Sequence, residues 1–143
     1  LCSFLLFAGM GSRYSGRLRT DDANPFRRPV TRAVAAIGAF SLIYLVVLPA
    51  LFRLLMPLPD ALKIPLSIVL IAPLAFAMGM PFPLGLARTA GRAASLVPWA
   101  WGVNGCASVV AAILATMLAI HFGFAVVIVL AVLLYALGAA VFP

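Results

Sequence analysis

The sequence predicts an all-α integral membrane protein: four full transmembrane helices, a truncated helix ahead of them, and the last two spans folded as a tight hairpin. Three observations carry this. Apolar residues fill 66% of the 143 positions and charged residues 9%, where an ordinary soluble domain has about a quarter charged. The mean hydropathy of +1.22 comes from long apolar runs divided by short charged ones, the pattern of helices surrounded by lipid. A bilayer core also demands that every backbone polar group be paired inside the protein, so only helices or a closed barrel can cross it. Barrel strands alternate polar and apolar residues. No alternation exists in "SVVAAILATMLAI" or "VVIVLAVLLYALGAAVF", and helices follow.

The opening run, "LCSFLLFAGMG", offers about eleven residues before Arg13, where a span needs about twenty. No basic segment precedes it, as a signal peptide would require. Residues 1–16 therefore read as the end of a helix that begins upstream. An arginine-rich linker takes 17–33, and a four-helix region takes 34–142. Its spans are 34–56, 64–86, 99–120 and 124–142. Only His121, Phe122 and Gly123 separate the last two, which makes them antiparallel neighbours.

Positive charge sets the orientation. Arg13, Arg17, Arg19, Arg27, Arg28 and Arg32 crowd one linker, offset in part by Asp21 and Asp22, while Arg88 and Arg92 precede Trp99. Short loops rich in Lys and Arg stay in the cytoplasm. That places 13–32, 88–98 and the C-terminus inside, with 57–63 and 121–123 outside. The net charge of +7 needs no nucleic acid, because the arginines stand beside spans, where anionic headgroups already account for them. The expected partners are membrane lipids and other transmembrane helices.

Gly105, Ser108, Ala112, Ala115 and Ala119 recur at steps of three and four and draw a small-residue stripe down one helix face. Such stripes let backbones approach closely in lipid, so this one reads as a packing seam. Gly9, Ser12 and Gly16 make a shorter version in the first run. Asn104 lies about four residues inside the Trp99–Trp101 girdle. A bare amide in hydrocarbon costs several kcal/mol, so it faces either a neighbouring helix, as a packing bond, or a polar pocket. Pro81 and Pro83 delete the helix bonds to the carbonyls of Ala77 and Gly79. Gly79 and Gly85 ease a bend and let another segment come close. Broken helices of this kind hold ions or substrates in transporters, but those sites pair with intramembrane charge. The only carboxylates here, Asp21, Asp22 and Asp60, lie in linkers, which favours a structural kink.

Arg53 sits one turn from the outer end of its span, able to snorkel or to pair with Asp60. His121 is the sole histidine, which leaves little from which to build a metal site. Paired core carboxylates, a Cys–His pair at a sensible depth and a glycine-rich phosphate loop are all missing, so no catalytic, cofactor-binding or metal-binding residue is expected in these 143 positions. Cys2 and Cys106 read as small hydrophobes.

"GMPFPLGLAR", "VPWAWGVNGCASVVAAILATMLAIHFGF" and "VLLYALGAA" resemble the C-terminal membrane region of bacterial spermidine synthase-like integral membrane proteins. "SFLLFAGMGSRYSGRL" is similar to the helix and linker that precede it in the same family. The sharpest element is "PWAWGVNG", residues 98–105. The resemblance implies a long parent polypeptide in the bacterial inner membrane. In it, major-facilitator-like helices are joined to a soluble aminopropyltransferase-like domain that binds decarboxylated S-adenosylmethionine and a diamine. It carries over Pro81, Pro83, Gly85, Pro98, Trp99, Trp101, Gly102, Asn104 and Gly105 as motif positions with no catalytic role. Three functions then compete: the anchoring or substrate-passing part of such an enzyme, a non-catalytic subunit packed into a larger complex, and part of a polyamine or small-solute transporter.

Overall fold

A computed structural model describes residues 1–18 and 27–141. Arg19, Asp21, Asp22 and Phe142, which figure in the linker and in the last span, lie outside the described residues. The fold is all-α. Helix α1 covers Cys2–Ser15, α2 Arg27–Leu55, α3 Asp60–Met78, α4 Pro81–Arg92, α5 Val97–Phe122 and α6 Phe124–Val141, with a 3₁₀ turn at Ala94–Leu96. Four stretches are long and apolar enough to cross a membrane: Arg27–Leu55, Asp60–Arg92, Ala94–Phe122 and Phe124–Val141.

Two boundaries differ from the sequence expectation. Helix α2 begins at Arg27 rather than at residue 34, so Arg27, Arg28 and Arg32 ride on helical turns instead of a loose linker. Arginine is a good helix former, and Pro29 falls in the first turn, where its missing N–H has no partner to lose. The charged turns thus extend the helix past its apolar part. The expected span 64–86 is two helices, with a short break at Gly79 and Met80.

That break is a kink, not an unwound loop. Gly79 (φ −72°, ψ −13°) and Met80 (φ −89°, ψ −40°) keep right-handed helical torsions. The Ala77 carbonyl, deprived of a donor by Pro81, accepts the N–H of Met80 at 3.3 Å. A tightened turn therefore satisfies the group that a transporter would have used for a ligand.

The buried core lies at this break. Val30, Ala33 and Ile37 lie at steps of three and four on one face of α2, and Ala77, Met80 and Leu84 meet them from both sides of the kink. Tyr135 and Ala139 of α6 pack on the same cluster. Farther along, the Tyr44 hydroxyl donates to the backbone carbonyl of Leu70, tying α2 to α3. A Cβ built on Gly38 would be 3.7 Å from Val132, ordinary contact distance, so α6 also lies close along the middle of α2.

Helix α1 lies on α3 with backbone against backbone. A Cβ placed on Gly11 would run into the carbonyl of Phe76, and one placed on Gly79 would run into the carbonyl of Ala8. Each glycine thus sits over a carbonyl three residues before the other glycine. This symmetry makes a close crossing that only residues lacking a side chain permit. Tyr14 and Phe76 close its flank with ring centroids 5.6 Å apart. Ser15, the one buried polar residue among those described, turns its hydroxyl back to the Ser12 carbonyl at 2.6 Å.

Helix α5 lies outermost, against α6 and in lesser measure α4. Phe82 and Trp101 meet edge to face at 5.2 Å, a side-chain link between α4 and the start of α5. The reversal into α6 takes a single residue. Gly123 holds φ +85° and ψ 163°, a conformation that belongs almost exclusively to glycine.

Candidate functional site

The kink, the first turns of α2 and the last turns of α6 enclose an open groove of about 710 Å³. Its walls are apolar: Val30 and Val34 from α2, Pro81 and Leu86 from α4, Leu134 and Tyr135 from α6. Gly85, Ala131, Gly138 and Ala139 leave its floor low. Among the described residues nothing lies within 4 Å of a Cβ built on Gly138, so the space beside α6 there is open to them. The charged lining comes from α4, while Tyr135 of α6 adds a phenol. Arg88 and Arg92 stand four residues apart, hence on one face of that helix, with Thr89 between them. The Thr89 hydroxyl donates to the Gly85 carbonyl at 3.1 Å and is occupied within the helix.

A smaller, more polar groove of about 420 Å³ lies on the other side of the core. Arg17, Arg28 and Arg32 line it together with Tyr14, Ala33 and Met80. Met80 belongs to the core that Val30 and Leu84 share, so the two arginine sets flank one end of the bundle. The two grooves are linked through the shared core, Met80 lining the smaller one and Val30 the larger. At another part of the bundle Asp60 pairs with Lys63 at 3.2 Å, not with Arg53. Both partners are in the first turn of α3, and the pair is exposed, so it adds little stability.

The expected site residues separate into three groups. Pro81 lines the large groove, and Pro83 lies with it in the first turn of α4. Gly105, Ser108 and Ala112 are exposed, whereas Ala115 and Ala119, at the hairpin end of the stripe, are half-buried. Among the described residues, nothing beyond the helix's own nearby backbone lies within 4 Å of a Cβ on Gly102 or Gly105. Asn104 is exposed on the same helix and lines neither groove; its backbone carbonyl accepts the Ser108 hydroxyl at 2.7 Å. Cys2 and Cys106 are free thiols on exposed positions. Among the described residues no three His, Cys, Asp or Glu side chains gather as a metal site would require.

Sequence reasoning missed the close crossing of α1 on α3 at Gly11 and Gly79. The stripe Gly9–Ser12–Gly16 does not face a helix, since a Cβ on Gly9 would meet nothing and Gly16 lies in the turn after α1. The packed face is Ala8, Gly11 and Ser15, again at steps of three and four. The signal was present, but two small-residue registers overlap in "AGMGSRYSG" and periodicity alone does not choose between them. The reading that Gly79 admits a close neighbour is met by the Ala8 carbonyl.

No family model, no curated protein and no solved structure matches this chain.

Proposed function

We propose that this chain is the membrane-embedded anchoring part of a spermidine synthase-like protein and that it docks, through α5, onto further membrane helices. The anchoring role rests on one observation: α5 and α6 bury no residue within the chain, yet the Gly105–Ser108–Ala112 face of α5 carries the small side chains that close helix packing uses. The parentage rests on the "PWAWGVNG" block at 98–105, the densest part of the family resemblance. With both arginine sets turned to the cytoplasm, the bundle belongs in a bacterial inner membrane with its C-terminus inside.

Anchoring fits better than passing an amine. Putrescine and spermidine are cations, and the large groove presents Arg88 and Arg92, which repel them. Asp60, the carboxylate among the described residues, is engaged by Lys63.

The test uses the whole protein that carries this segment. Aminopropyl transfer from decarboxylated S-adenosylmethionine to putrescine is expected, and absence of both turnover and nucleoside binding overturns the parentage. Separately, Ala112→Leu is expected to break detergent-stable assembly by overpacking the seam, at about 1–3 kcal/mol, while leaving the turnover per molecule unchanged. Intact assembly in that variant overturns docking through α5.

A further inference from the structure

We propose that the groove between α2, α4 and α6 is a binding site for an anionic phospholipid, with the phosphate at Arg88 and Arg92 and an acyl chain along the apolar walls. The inference takes from the preceding reading only that the helices lie in a bilayer; it does not depend on the parent enzyme or on docking through α5.

The shape comes first. About 710 Å³ is in the range of small-molecule pockets, room for a headgroup phosphate and part of one acyl chain. The slot runs between α2, α4 and α6 and is open rather than enclosed. Its floor is kept low by Gly85, Ala131, Gly138 and Ala139, and the space over Gly138 is clear. Val34 and Leu134 supply the apolar sides against which a hydrocarbon chain can lie.

Charge then selects the headgroup. The cationic lining is confined to α4, where Arg88 and Arg92 occupy successive turns. Both lie beyond the proline kink and line the same groove as Val30 of the first turn of α2, the end of α2 that carries Arg27, Arg28 and Arg32. Arginine side chains there keep their stems on apolar surface and their guanidinium groups at headgroup depth. A guanidinium offers a planar fork of donors that matches phosphate oxygens. Basic pockets between membrane helices recognise anionic headgroups on these grounds. A zwitterionic lipid fills the slot equally well but offers the two cations no net charge. A free phosphate meets the cations and leaves the apolar walls empty. An anionic phospholipid satisfies both.

Native mass spectrometry of the purified protein, offered phosphatidylglycerol and phosphatidylcholine with identical acyl chains, tests this. The wild type is expected to retain the anionic lipid preferentially. Arg92→Gln should cut that preference about fivefold, and adding Arg88→Gln should cut it by a similar factor again. Gly138→Leu adds a side chain to the slot at a position where a Cβ meets nothing within 4 Å among the described residues, and it should reduce retention of both lipids while the preference stays. Equal retention of the two lipids by the wild type overturns the proposal. So does an unchanged preference in the double variant, or displacement of the lipid by inorganic phosphate alone. Should the double variant fail to fold, unaltered lipid retention by Gly138→Leu overturns it independently.

Discussion

The crossing of α1 on α3 and the outer face of α5 are built from the same residue types, with opposite results. At the crossing, Gly11 and Gly79 lie so close to the carbonyls of Phe76 and Ala8 that neither can carry a Cβ. On α5, no other described part of the chain comes within reach of a Cβ on Gly102 or Gly105, and Ser108 and Ala112 are also exposed. A small-residue face is thus permission for close packing rather than a contact in itself. In lipid, apolar surface gains little by leaving its surroundings, so helices associate where backbones can approach and bond. What fills the face is decided by the neighbour that the chain path brings alongside it.

Glycine substitutions break this comparison most directly. Gly11→Ala is expected to cost about 3 kcal/mol, the upper part of the overpacking range, because the obstruction is backbone and cannot rotate away. Gly79→Ala should match it and, in combination with Gly11→Ala, should cost less than the sum, since both relieve one crossing. Thermal denaturation in detergent measures both; a loss below that of an exposed-surface change would mean that α1 does not sit on α3. Gly123→Val comes next, at about 2 kcal/mol, because its φ of +85° with ψ near 163° lies where branched side chains are strained. Gly105→Ala goes the other way. With no other described residue near the added methyl, it reduces the backbone freedom of the unfolded chain and should raise the stability of the isolated chain by about 0.5–1 kcal/mol. A destabilisation there would show that α5 already has a close neighbour.

Much of the fold was legible because hydropathy is a local property. The apolar runs predicted the four long helices, and the turn at Gly123 needed only the shortness of the gap between two spans. The proline break was legible in place but not in kind. Pro81 and Pro83 announce an interruption, yet only the torsions at Gly79 and Met80 show that the chain stays helical and that Met80 supplies the donor Pro81 lacks. The groove was not legible at all. Val30, Gly85 and Gly138 come from three helices separated by more than fifty residues each, and nothing in their local sequence marks them as neighbours.

By itself, the sequence determined that this chain forms apolar helices of membrane-spanning length, where the turns between them fall, and how arginine is distributed among those turns. These follow from transfer energies and backbone bonding summed residue by residue. Tertiary structure alone decided that Gly11 rather than Gly9 meets α3, that both arginine sets flank the Met80 core, and that Arg88 and Arg92 border an apolar slot. Each depends on the rotation of one helix against another, set by shape over many distant side chains, and a linear pattern of small and large residues allows several such rotations.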